Sequence, residues 1–154
     1  MTNKTNAMAE AAMKKKGIPC RVGTLASVAR PLFNSEEKRV LGRTLNALAV
    51  DMESAAVARV AAEHGRAFFA LRAISDTVDE NLPSEVSDFL DETGEVRSGK
   101  VLKFAFHGPK NVRELWKLKR HSDQAALALQ GAWKAVLPAF LETARAMPGP
   151  TDCP

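Results

Sequence analysis

The sequence predicts an α/β fold, a mixed or parallel sheet flanked by helices. Three observations lead there. Residues 47–52 and 67–74 are continuous apolar runs of strand length, without the polar alternation of a half-exposed strand. Between them, residues 53–64 place Ala56, Val60 and Ala61 on one helical face, small enough to sit close on a sheet. Each run also ends at an isolated carboxylate, Glu53 and Asp76, and the carboxyl ends of strands are where α/β sheets open their ligand crevice.

The elements follow in order. Residues 3–16 read as a helix, with Ala7, Ala11 and Ala12 at helical spacing. Lys14, Lys15 and Lys16 suit its last turn, and Gly17 stops it. Residues 18–29, rich in Val, Thr and Leu, suggest a strand ended by Pro31. Ser35 is the expected N-cap of a short helix over 36–43 with Glu36 and Glu37 in its first turn. The strand 47–52, the helix 53–64 closed by Gly65, and the strand 67–74 form the expected crossover unit. Residues 77–99 are polar and read as a long loop with a helical turn near 84–90. Ser98 opens a short helix carrying Val101, Phe104 and Ala105 on one face. Asn111 with Glu114 forms a capping box for the next helix. A longer one from Ser122 carries the stripe Leu129, Trp133, Val136 and Phe140, with Pro138 expected to kink it. Residues 1–146 are expected to form one domain and the Pro-rich 147–154 a flexible tail.

Composition narrows the class. The chain has 154 residues, enough for a sizeable core. No apolar run approaches the roughly 20 residues needed to cross a bilayer, and without an apolar stretch near residue 1 no signal peptide is expected. A cytoplasmic protein is expected. Cys20 and Cys153 lack zinc spacing, as do His64, His107 and His121, so neither metal nor cofactor is expected. The net charge of +4 resides largely in 14–16 and 117–120, without interleaved aromatics, which argues against a nucleic-acid partner.

Two motifs carry a resemblance: Asp51-Met52-Glu53-Ser54-Ala55-Ala56 and Arg72-Ala73-Ile74-Ser75-Asp76. Together they resemble the purine nucleoside phosphorylase and nucleosidase family, over about residues 17–140. Ser27, Glu37-Lys38-Arg39 and the run 76–83 are most similar to its hopanoid-associated phosphorylase branch. The resemblance implies a three-layer phosphorylase-like fold. This chain matches its C-terminal portion, with the first strands and the Gly-rich nucleophile site of the family not represented.

It also implies roles. Asp76 is the candidate catalytic acid, hydrogen-bonding or protonating the leaving purine at N7. A free Asp titrates at about 3.9, so burial past the strand end is expected to raise it. Taken alone, Ser75-Asp76 also reads as a turn cap. Glu53 is the candidate ribose ligand, since a carboxylate accepts two hydrogen bonds from a vicinal diol. Without the family it is an acid in the first turn of a helix, and Met52 is core. By resemblance Met52 packs on the sugar and Phe33 is the nearest base-stacking aromatic, while Ser75 either orients Asp76 or bonds its own backbone. Arg72, mid-run, pairs with Asp51 or Asp76 or contacts phosphate.

The implied activity is cleavage of the N-glycosidic bond of an adenosine-type nucleoside with phosphate as co-substrate. Adenosylhopane is a candidate substrate, which would bring the protein near membranes, with Val78, Leu82, Phe89 and Leu90 as candidate lipid contacts; packing of the loop on its own domain explains these four as well. A water-dependent nucleosidase and an inactive split-phosphorylase module are the alternatives. A homo-oligomer, or a complementing N-terminal fragment, is the expected partner.

Overall fold

The computed structural model describes residues 2–89 and 97–146. The predicted tail 147–154, with Cys153, and the candidate lipid contact Leu90 lie outside the described residues. The elements are α1 (Thr2–Lys15), β1 (Thr24–Ser27), α2 (Ser35–Leu45), β2 (Ala47–Asp51), α3 (Ser54–Glu63), a 3₁₀ turn (Ser84–Asp88), α4 (Ser98–Phe106) and α5 (Pro109–Ala146). The fold is α/β: a two-stranded parallel sheet of β1 and β2 flanked by helices.

Strand β1 is shorter than the predicted 18–29, because only its last part meets β2. Leu25, Ala26 and Ser27 stand opposite Ala49, Val50 and Asp51, after an irregularity between Thr24 and Leu25. Gly23 marks the entry: a Cβ there would lie 2.3 Å from Leu48 Cδ1. Glycine therefore lets Leu48 lie against the backbone leading into the sheet.

The crossover differs from expectation. It is β1–α2–β2, and residues 67–74 are not a strand. Among the described residues, no backbone–backbone hydrogen bond reaches 67–74. Apolar content predicts extension and burial, but a strand exists only where a ladder partner does. Strand β2 also alternates in burial, with Leu48 and Val50 exposed, so two-sided cover is not seen among the described residues.

Helix ends explain the remaining shifts. Gly17, at φ 67°, ends α1, and Gly65, at φ 62°, follows α3. The cap of α2 is Asn34, one residue before the expected Ser35. Asn34 Oδ1 accepts from Glu36 N at 2.7 Å, and left-handed Asn46 closes the other end. Helix α5 is one continuous helix of 38 residues starting at Pro109, where the missing N–H costs nothing. The expected capping box therefore does not form. The Asn111 side chain instead donates to Phe104 O at 3.0 Å and closes α4. Pro138 lies inside α5.

The core joins α1 to α5. Ala9 and Met13 pack on Ala132 and Val136, the last with no exposed surface. Phe69 and Leu71 of the extended segment pack against this cluster, and the Phe69 ring lies 5.1 Å from that of Phe140. Cys20 packs there as an unbridged thiol. Of the predicted stripe, Trp133 is exposed, because the buried face runs through Ala132, Val136 and Phe140 at i, i+4, i+8 and leaves Trp133 turned away. Phe89 is buried edge-on to Phe104, 5.4 Å between centroids, which explains it as packing rather than as a lipid contact. No described helix is long and apolar enough to cross a membrane.

Candidate active site

The parallel pairing brings the C-terminal ends of β1 and β2 side by side, and a polar cluster grows from them. Ser27 Oγ donates to Asp51 Oδ1 at 2.7 Å. Asp51 also accepts from the Ser54 amide at 3.2 Å and from the Ser54 hydroxyl. The Ala55 amide donates to Ser27 Oγ at 2.8 Å. Two of the unpaired amides opening α3 are thus capped by Asp51 and Ser27, while Glu53, at the N-cap position, makes no side-chain cap.

Arg72 reaches into this cluster from the extended segment. Its Nη2 lies 2.5 Å from Asp51 Oδ2, 3.1 Å from Ser54 Oγ and 3.2 Å from Glu53 Oε2. The partner left open between Asp51 and Asp76 is therefore Asp51, with Glu53 added. Asp51 is 7% exposed, and burial pushes its carboxyl up. Hydrogen bonds from Ser54 and Ser27, and then from Arg72, outweigh burial and hold it at about 2. Glu53 keeps a 61% exposed carboxylate, tied on one side by Arg72.

Asp76 lies four residues beyond Arg72. Its Oδ1 accepts from Ser75 Oγ at 2.9 Å, and its Oδ2 from Lys38 Nζ at 2.5 Å. The Asp76 carboxylate is part-buried, 26% exposed, with a lysine ammonium as its partner. Beyond it, Glu80 accepts from the Thr77 amide at 3.0 Å and from Lys117 at 2.9 Å, which together draw its carboxyl down to about 2. His121 Nδ1 is 3.7 Å from the same carboxylate.

A cavity of about 1150 Å³ opens between the extended segment 68–77, the entry to β1 and the face of α5 from His121 to Ala132. Ser75 and Asp76 line it, with Ser27, Ser54 and Arg72. Met52, Glu53 and Phe33 are not among its lining residues. Met52 is exposed, which removes the core reading. Phe33 sits just before α2, next to the Asp76 loop, where its carbonyl accepts from Leu82 N at 2.9 Å. Arg72 therefore links the Glu53 carboxylate to the cavity wall that carries Asp76.

Sequence reasoning gave no site role to Lys38, His121 or Glu80. Lys38 and Glu80 stand in segments that carry the resemblance but had no role there, and Glu80 meets His121 only through the placing of α5. Ser27 was visible only as part of the resemblance.

Comparison with known proteins gives two findings. A family model described as the phosphorylase superfamily matches residues 2–105. It therefore includes α1, which the sequence reading left outside the resemblance. Among curated proteins, the aminodeoxyfutalosine nucleosidases of Helicobacter pylori strains J99 and 26695 are each 34% identical over 98 residues, covering 64% of this chain and 42% of theirs. The chain thus spans less than half the length of these curated relatives. No solved structure matches.

Proposed function

From the premise that the chain belongs to the phosphorylase superfamily, we propose that it serves in cleaving the N-glycosidic bond of a purine nucleoside. The observation that carries this reading is Arg72, which ties Glu53 and Asp51 together four residues before Asp76 in the wall of one cavity.

The chemistry asks for three things: a held sugar, a base that can leave, and a nucleophile on the opposite face. Glu53 offers the sugar diol two acceptor oxygens, with Arg72 fixing one side of the carboxylate. Met52, exposed beside it, packs on the sugar. Asp76, oriented by Ser75, hydrogen-bonds or protonates the departing purine, and Phe33 supplies a stacking face beside the loop. Positive charge on the sugar in the transition state is stabilised by the nearby carboxylates.

The nucleophile in this reading is phosphate, and the substrate an adenosine-type nucleoside, with adenosylhopane as one candidate. The partner is a second copy of the chain or a complementing N-terminal fragment, in a cytoplasmic setting near membranes if the nucleoside is lipid-linked. A second reading, water as nucleophile, is favoured by the Helicobacter pylori relatives, which are aminodeoxyfutalosine nucleosidases.

Adenine release from adenosine by this chain, measured with and without phosphate, tests both. Release that requires phosphate supports phosphorolysis. Release independent of phosphate replaces it by hydrolysis. Absence of release under both conditions defeats catalysis by the chain alone.

A further inference from the structure

We propose that Lys38 is a positioning residue for Asp76, holding the carboxylate and the turn that carries it in one orientation at the cavity wall. The inference rests on the reading of Asp76 as the group that contacts the leaving base.

Lys38 projects from α2, yet its side chain is only 9% exposed. A lysine is rarely buried so far unless its charge is matched. An ammonium has three hydrogens to donate, and three acceptors surround this one. They are Asp76 Oδ2 at 2.5 Å, Glu80 O at 2.9 Å and Thr77 O at 3.3 Å. Two of the three are main-chain carbonyls of the turn after Asp76. Lys38 therefore does more than match a charge: it ties the carboxylate to the backbone that follows it. Ser75 occupies the other oxygen, so both ends of the carboxylate are held and its plane is set.

Other links between the same segments differ in kind. Arg39 pairs with Asp79 at a well-exposed site, where an ion pair contributes little. Ser35 N donates to Asn81 Oδ1 at 2.8 Å, five residues beyond Asp76. On the far side, Lys117 of α5 holds Glu80. The segment 76–82 is thus held from α2 and from α5, and Lys38 is the link that bonds the Asp76 carboxylate itself.

The test compares the full chain with Lys38→Ala, using Arg39→Met as a control that breaks a link between the same two segments. Adenine release is followed to give kcat and KM. In Lys38→Ala, kcat should fall about 100-fold with KM nearly unchanged, because the loss is one of orientation. Added propylammonium should restore it about tenfold and saturably, whereas tetramethylammonium, which cannot donate hydrogen bonds, should not. Arg39→Met should keep kcat. A Lys38→Ala enzyme with wild-type kcat, or one that recovers equally with either cation, overturns the proposal.

If Lys38→Ala does not fold, Lys38→Arg decides, since a planar guanidinium cannot offer three acceptors one nitrogen. Its kcat should drop about tenfold at constant KM, and an unchanged kcat overturns the proposal. A wild-type chain that releases no adenine defeats the reading of function instead. Positioning is then read from amide exchange over 76–82, expected about tenfold faster in Lys38→Ala than in Arg39→Met. Equal exchange overturns it.

Discussion

Asp76 and Glu53 are two carboxylates whose surroundings assign them different work. Asp76 has both oxygens engaged, by Lys38 and Ser75, at a cavity wall. Glu53 is open to solvent with one oxygen near Arg72. Asp76→Asn should therefore abolish adenine release with nucleoside binding largely kept, and Glu53→Gln should weaken binding and turnover together. Steady-state kinetics beside equilibrium dialysis of adenosine check this, and equal turnover in wild type and Asp76→Asn refutes the assignment. Asp51 sits one layer below. Removing it leaves Arg72 without its buried partner and uncaps the first amide of α3. Asp51→Ala should cost about 2 kcal/mol, a lost cap plus a broken half-buried pair, read as a shift in urea midpoint. Both motif carboxylates were legible as isolated acids closing apolar runs. Lys38 was visible within the resemblance but its role was not, because nothing in a charged triplet distinguishes the one lysine that a loop 38 residues later will bury.

At the level of elements, helices were read best and strands least well. A helix satisfies its own backbone, so local signals such as Gly17, Gly65 and the alanine faces suffice to place it. Residues 67–74 show the converse. Their apolar pattern was real, and Phe69 and Leu71 are packed on the core, yet no ladder partner exists among the described residues. The cap of α2 moved by one residue, because Asn and Ser are both good caps and only the backbone at Asn34 adopts the extended conformation required. The α1–α5 contact is the main apolar junction, and Val136 lies at its centre. Val136→Ala should lower stability by about 2 kcal/mol through lost burial and the void left behind. Chemical denaturation of the purified variant measures this, and a change near zero would mean that α1 and α5 do not pack through this face.

Across the whole molecule, two depressed carboxyls tie separate parts together: Asp51 joins both strands, α3 and Arg72, and Glu80 joins the loop to α5. Both are held at about 2 in the fold, against ordinary values of 3.8 and 4.5. A carboxyl lowered by folding adds stability that is complete above its unfolded value and disappears as pH falls toward its folded one. Stability should therefore be level near neutral pH and fall between about pH 5 and pH 2. Urea midpoints across that range follow it, with the slope reduced in Asp51→Ala. A profile as steep in the variant as in the wild type would remove Asp51 from this account.

The sequence by itself determined the α/β class, the helices up to α4, the family and the two motifs, because all of these are written in short-range pattern: period and a few adjacent residues. Tertiary structure alone decided which extended run became a strand, that Arg72 turned to Asp51 and Glu53, and that Lys38 met Asp76. Those outcomes depend on which distant backbone supplies a hydrogen-bond partner and on which charge must be matched once it leaves water, and neither is encoded at the spacing of a helix turn or a strand pleat.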